Sequence, residues 1–463
     1  MRFLKLALLL VVVLGAAAFG VSWYRAGRAA GPTLTITSPD QVVGRSGSLE
    51  LTVDAPDAQA VRVLATVDQN GQSQPVFSYV DGATDHGQVT HTHQTQVSIV
   101  SPMGTIALPG LVAGPARVTV TATRRVFLGL RTATAIVTKD IQVRLDPPKV
   151  AVVSTHHFVN LGGAEFSVLR VSPDDVQAGI RVGDASYPAY PGTAVGLQDS
   201  SLRVVFFALR YNQALATPML AFARDGAGNE ATTPLDHTPF AKVFLRSRIP
   251  IDRSFLARVV PAIASHVPEL KIDTGTSDGL LKGFLAINSR LRRTNAETLV
   301  GLAAKTRPEI LWKGAFVQMG NSQVESRFAD QRTYYFENRE IDRQVHLGFD
   351  LATVQQAPVH ASNSGVVVFA DFLGIYGNCV VIDHGLGVQT LYAHLSSIAV
   401  KPGDAVEKGD ELGRTGATGL AGGDHLHFTI LLQGTPVNSV EWWDPHWIED
   451  RVVRKVREAG GRP

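Results

Sequence analysis

An uncharged run near the start limits this chain more than any other feature. No charged side chain occurs from Leu6 to Tyr24. As a helix the run spans roughly 28 Å at about 1.5 Å per residue, close to one bilayer core. Arg2 and Lys5 precede it, which keeps the N-terminus cytoplasmic. Trp23 and Tyr24 fall where an interfacial belt lies. We expect an N-terminal transmembrane anchor over residues 1–31, with everything after residue 30 exported. A cleaved signal peptide is the competing reading, with Leu6–Leu14 as its apolar segment and Ala16-Ala17-Ala18 as its cleavage site. The exported part then folds around one cysteine in 463 residues. That excludes an intrachain disulfide framework, a Cys-rich zinc finger and an iron–sulfur cluster held by this chain alone.

The exported part divides by pattern. Over 32–146 apolar and polar residues alternate, as in Leu49-Glu50-Leu51-Thr52-Val53, between Gly, Pro, Asp and Asn turns. Period-2 runs at short spacing suggest a β-sandwich. Asp146-Pro147-Pro148 reads as a linker, and a second β-rich unit follows over 147–240. It ends on Leu220–Glu230, a strand and turn that loosely resemble the last hairpin of bacterial immunoglobulin-like modules. Residues 241–310 carry apolar residues at helical spacing and are expected to form a small helical connector. From 311 to 463 the chain is β-rich again, and denser in histidine. The expected fold class is thus mostly β. Lys+Arg of 43 against Asp+Glu of 41 gives a net charge of +2, which argues against a nucleic-acid partner.

Three histidine segments carry the chemistry: His346-Leu347-Gly348-Phe349-Asp350, Tyr392-Ala393-His394, and His425-Leu426-His427. A catalytic zinc takes three protein ligands and keeps one position open. Without useful cysteines, His and Asp must supply them. His346, Asp350 and His427 would leave one formal positive charge on the metal. On a strand, residues i and i+2 share one face about 6.6 Å apart. One imidazole of the pair 425 and 427 can then bind metal while the other reaches a water or a developing oxyanion, and His394 can join it. No His-Glu-x-x-His occurs, so proton transfer falls to imidazoles. His91-Thr92-His93 has the same spacing without a neighbouring His-x-x-x-Asp, and reads as a solvated strand face. Cys379, within an apolar run, reads as core, and Trp442, Trp443 and Trp447 read as packing of a C-terminal segment.

These blocks stand in a familiar order. Ser326-Arg327-Phe328-Ala329-Asp330-Gln331-Arg332 is followed by His346–Asp350 with Leu351-Ala352. Then come Gly365–Ala370, Tyr376-Gly377-Asn378, Val380–Gly385, Thr390–Leu395, Gly409–Gly416 and His425–Phe428. From about Phe316 to Val437 the chain resembles the lysostaphin-type (LytM-like) zinc metallopeptidases, which cleave peptide bonds of bacterial peptidoglycan. The resemblance implies an antiparallel β-rich peptidase domain. It implies His346, Asp350 and His427 as zinc ligands, and His394 and His425 as catalytic imidazoles. It further implies a metalloendopeptidase acting on peptide crosslinks, with a zinc-bound water as nucleophile. The implied place is the cell envelope: anchored in the inner membrane, with the catalytic domain on the periplasmic or extracytoplasmic side. The β-sandwich modules would then space the domain from the membrane or meet envelope partners. A non-enzymatic LytM-like regulator that binds the wall or activates amidases is the alternative, and the intact residue set argues against it. Two positions depart from the family pattern. Asp424 stands where proline is common before His425, and is expected to alter the loop or the electrostatics there. Ala329 replaces a glycine, and is expected to change packing only.

Overall fold

In the computed structural model, residues 2–55, 60–80, 82–93 and 95–461 are described. The chain forms two compact units: Met1–Pro148 with Arg224–Glu230, and Lys149–Ala223 with Ala231–Pro463.

The first unit begins with the helix Arg2–Ala26. By length and composition its segment Phe3–Ala26 is apolar enough to cross a membrane. Its last turn is tied locally, since Arg131 Nη1 donates to Trp23 O at 2.8 Å and the guanidinium lies over the Trp23 ring. Two sheets follow. One has four strands in the order Thr33–Ser38, Gly47–Asp54, Gln96–Met103, Gln88–His91. The other has six, with the long antiparallel pair Gly114–Val126 and Arg131–Val143 near its centre. The alternation in the sequence does the expected work. Leu49, Leu51 and Val53 from one sheet and Val63, Val118 and Val120 from the other are at most 2% exposed and share one apolar core.

The second unit opens with two four-stranded sheets over 149–234. Helices follow at Arg253–Ala264, Ser277–Ala286 and Arg292–Ala303. Asp252 and Thr276 cap the first two by accepting from the N–H of Phe255 and Gly279. A π-turn, Ile287–Leu291, joins the last two. Leu256, Val260, Phe284 and Ile287 bury their apolar face with Tyr334 and Ile375. The rest of this unit is built on an eight-stranded sheet. Its order is Gln323–Ser326, Phe349–Ala352, Leu426–Leu432, Val388–Leu395, Asn378–Asp383, Gly365–Phe372 and Ala405–Val406, with Thr435–Val437 beside Leu426–Leu432.

One apolar core runs from the 149–234 sheets into the eight-stranded sheet. Phe166, Phe206, Trp312, Phe316 and Trp442 form its aromatic centre, with ring centroids 4.8–5.9 Å apart along the chain of contacts Phe166–Phe206–Trp442–Trp312–Phe316. Trp442 is fully buried and Cys379 is fully buried. Polar groups are also carried inside. Glu441 accepts from Asn160 Nδ2 at 2.6 Å and from the Ala164 N–H at 2.7 Å. Burial pushes its carboxyl up to about 7, against those two hydrogen bonds.

Candidate metal centre

Strand register assembles the centre. Asp350 lies opposite His427 on one side and Ser326 on the other. Ala393 lies opposite His427, and Asp330 opposite His346. Segments separated by up to about a hundred residues therefore meet at one place. One ligand atom each from His346, Asp350 and His427 lies within 4.8 Å of the others, and all three residues are buried. His346 Nε2 is 2.9 Å from Asp350 Oδ1 and 3.0 Å from His427 Nδ1, and His427 Nδ1 is 3.0 Å from Asp350 Oδ1.

The outward nitrogens fix which atoms face inward. His346 Nδ1 donates to Arg327 O at 3.1 Å and also meets Ser326 Oγ at 3.1 Å. Its Nε2 is then the ring atom turned toward Asp350 and His427. His427 Nε2 meets Thr429 Oγ1 at 3.0 Å, which leaves Nδ1 for the centre. Two ring nitrogens and a carboxylate oxygen converging this closely fit a cation, and this donor set of two imidazoles and one carboxylate suits zinc. Arg332 supports the carboxylate from behind. Its Nη2 donates to Asp350 Oδ2 at 2.9 Å and to Ser326 Oγ at 2.7 Å.

His394 and His425 stand beside this trio. Their rings are 4.9 Å apart, and His394 is 5.7 Å from the His427 ring. His425 Nε2 is 3.5 Å from Asp350 Oδ1. Each of these rings donates Nδ1–H to a backbone carbonyl, His394 to Thr418 O at 2.8 Å and His425 to Gly423 O at 2.9 Å. His394 has φ of +63°, a strained conformation for a side-chain-bearing residue, and one that concentrates at functional sites.

Burial and charge act differently on each group. Burial works to raise the Asp350 carboxyl, but the His346 charge and the hydrogen bonds from His346, His425 and His427 hold it well below the usual range. Burial, aided by the charges of His425 and His427, drives His394 well down. Burial brings His427 down to about 4. At His425 burial also opposes the charge, yet bonding to Asp350 outweighs it and the net shift is upward.

All five residues singled out from the sequence thus meet in one cavity of about 100 Å³. Sequence reasoning did not single out three other residues that line it: Arg292, Arg332 and Tyr376. Arg332 and Tyr376 belong to blocks quoted for the resemblance. Arg292 comes from the helical segment and carried no signal. The two departures resolve structurally. Asp424 turns Oδ2 to the Gln356 N–H at 3.1 Å, so it ties one loop to another. Ala329 corrects the expectation of a packing change only. Its φ is +62°, a left-handed backbone that explains why glycine suits this place. Of the remaining histidines, His384 is fully buried and bonds Ser364 O and Thr390 Oγ1. His91 is an exposed strand residue outside this unit.

Residues 344–439 match Peptidase family M23. A stretch of 97 residues is 45% identical to the DD-carboxypeptidase/endopeptidase Mpg of Neisseria meningitidis, covering 21% of this chain and 22% of that protein. A stretch of 96 residues is 43% identical to the peptidoglycan DD-endopeptidase ShyA of Vibrio cholerae, covering 21% and 22%. The catalytic domain of lysostaphin from Staphylococcus simulans is similar to 27% of this chain over 92% of its own, at 28% identity and a TM-score of 0.23. The chain therefore matches about a fifth of the length of these curated relatives. Within that span, residues 344–439 carry most of the ordered blocks and are similar to Peptidase family M23.

Proposed function

We propose that this chain is a zinc metalloendopeptidase that hydrolyses peptide crosslinks of bacterial peptidoglycan. The helix Arg2–Ala26 would hold it in the inner membrane, with the catalytic domain on the extracytoplasmic side. The β-rich units, read as immunoglobulin-like, would space that domain from the membrane. The observation that carries the reading is the convergence of His346 Nε2, Asp350 Oδ1 and His427 Nδ1, each about 3 Å from the other two, beside two further imidazoles.

His346, Asp350 and His427 would hold the zinc. The chemistry zinc supplies when bound is Lewis-acid polarisation of a carbonyl and a lowered pKa for water. The protein supplies the proton handling. With Nδ1–H tied to Thr418 O, His394 keeps Nε2 for the substrate side. His425 is likewise tied through Nδ1–H to Gly423 O, which turns its Nε2 toward Asp350 at the edge of the trio. One of these Nε2 atoms would take a proton from the attacking water; while protonated, that ring would donate to the oxyanion of the tetrahedral intermediate, and it would then pass the proton to the leaving amine nitrogen.

The deciding experiment is zinc stoichiometry together with digestion of crosslinked muropeptides. We expect one zinc per chain and release of uncrosslinked products. Stoichiometric zinc with no cleavage of any crosslinked peptide would overturn the enzyme reading in favour of a non-enzymatic regulator.

The support from Arg332 can be tested separately. Arg332→Gln removes a cation that repels the metal, and also the group that orients Asp350 and Ser326. Orientation is expected to dominate, lowering zinc affinity by about 10–100-fold in a chelator competition. A rise in affinity would show that repulsion dominates instead.

A further inference from the structure

Two guanidinium groups line the histidine cavity, and they differ in what neutralises them. Arg332 is spent on Asp350 at 2.9 Å and Asp330 at 3.4 Å. Arg292 forms no ion pair with any described carboxylate. Its recorded bonds go to one neutral residue: Nη2 to Asn288 Oδ1 at 2.7 Å and Nε to Asn288 O at 3.2 Å. A guanidinium has five N–H donors, so most of its donors remain for something else.

The support of Arg292 is rigid. Asn288 is fully buried within the π-turn Ile287–Leu291. It spends Nδ2 on Asp342 Oδ2 at 2.8 Å, so its amide is held from both ends. Single π-turns inside helical segments occur often at functional sites. Here the turn sets a half-buried cation, without a counter-charge, against the wall of the cavity that holds the metal ligands. Such a charge is costly to desolvate unless an anion joins it. Arginine is suited to carboxylates, which it grips through two parallel N–H bonds.

We propose that Arg292 is the carboxylate receptor of this cavity. It binds the free α-carboxylate of the residue on the amine side of the scissile amide. The inference rests on the peptidase reading and sharpens it. A carboxylate on that residue lies two bonds from the scissile nitrogen, close enough to share a cavity of about 100 Å³ with the ligands. The preferred bonds are then those whose leaving residue ends in a free α-carboxylate, as in an acyl-D-alanyl-D-amino acid. An internal bond of a glycine bridge offers no such group. The helical segment thereby becomes part of the substrate site, although it lies outside the span matched by the family.

The test compares the zinc-loaded full chain with its Arg292→Gln and Arg292→Lys variants. The first readout is calorimetric binding of N-acetyl-D-alanyl-D-alanine and of its C-terminal amide. The parent should bind the acid about 10–100-fold more tightly, as expected of a charge-assisted pair. The Gln variant should bring that ratio near one, and the Lys variant should keep part of it. A ratio near one in the parent, or an unchanged ratio in Arg292→Gln, overturns the inference. The second readout is the acid-to-amide ratio of kcat/KM on paired crosslinked peptides, which should collapse in the same way. Faster cleavage of both peptides by Arg292→Gln would mark Arg292 as a plug and also overturn it. If the parent binds with the acid preference and cleaves neither peptide, the peptidase reading fails while the receptor assignment stands.

Discussion

Replacing His346 by alanine is expected to abolish stoichiometric zinc binding and to lower muropeptide cleavage at least ~10³-fold, whereas His394→Ala keeps one zinc and loses cleavage by ~10²–10⁴-fold. The two rings differ in what they touch. His346 Nε2 meets both other candidate ligands at about 3 Å. Its removal leaves one imidazole and one carboxylate, too few for a catalytic zinc site. It also strips Ser326 Oγ and Arg327 O of their shared partner. His394 reaches the trio only through ring neighbours, at 4.9 Å from His425 and 5.7 Å from His427. Its loss removes the imidazole proposed to carry the proton, without removing a ligand atom, and leaves the positive φ in place because alanine keeps the Cβ. Metal content by elemental analysis and kcat/KM on one crosslinked muropeptide separate the two variants. Full zinc affinity in His346→Ala would overturn the ligand assignment. Zinc loss in His394→Ala would move that residue into the ligand set.

The parts of this site that could be read in advance are those written in local spacing. His346-x-x-x-Asp350 and His425-x-His427 are short blocks, and their order along the chain carried the resemblance. The decoy His91-x-His93 has the same spacing, so spacing alone distinguishes nothing without the accompanying blocks. What spacing does not contain is the partner across the sheet. Thr418 O and Gly423 O orient His394 and His425 through loop carbonyls, which any residue type provides. Arg292 reaches the cavity from a helix more than fifty residues before His346. Positive φ is equally silent when the residue is not glycine, as at Ala329 and His394. Alternation marked strands in both β-rich regions. It said nothing of the apolar core that the 149–234 sheets share with the eight-stranded sheet.

That shared core holds an ion pair whose loss should give the largest stability change in the molecule. Lys455 Nζ donates to Glu165 Oε1 at 2.8 Å and to Phe166 O at 2.9 Å, and both charged side chains are fully buried. Burial disfavours both charges: it pushes the Glu165 carboxyl up and the Lys455 ammonium down. The pair persists because both carboxylate oxygens and two of the three ammonium protons are used. Glu165 also accepts from the N–H groups of Phe158 at 2.9 Å and Phe166 at 2.8 Å. Lys455→Met removes only the cation and leaves a buried carboxylate, which typically costs about 3–5 kcal/mol. Arg451, 3.8 Å from Glu165, softens this toward the lower figure. The double variant Lys455→Met with Glu165→Gln should recover most of the loss. Four of the five tryptophans, Trp312, Trp442, Trp443 and Trp447, lie in this unit, so their fluorescence in a urea titration reports its unfolding. The pH dependence has a definite sign. A carboxyl whose folded pKa is raised binds its proton more tightly in the folded state, so the single variant should lose least at low pH and most above the folded pKa. The effect should also reach the metal centre. The C-terminal segment that carries Lys455 includes Trp443, whose ring lies 5.0 Å from Phe349 and 5.5 Å from Phe428. Those residues adjoin Asp350 and His427 in the chain. Loosening the segment should weaken zinc binding in the single variant and restore it in the double. Unchanged stability in Lys455→Met, or a further loss in the double variant, would show that the pair does not hold this core together.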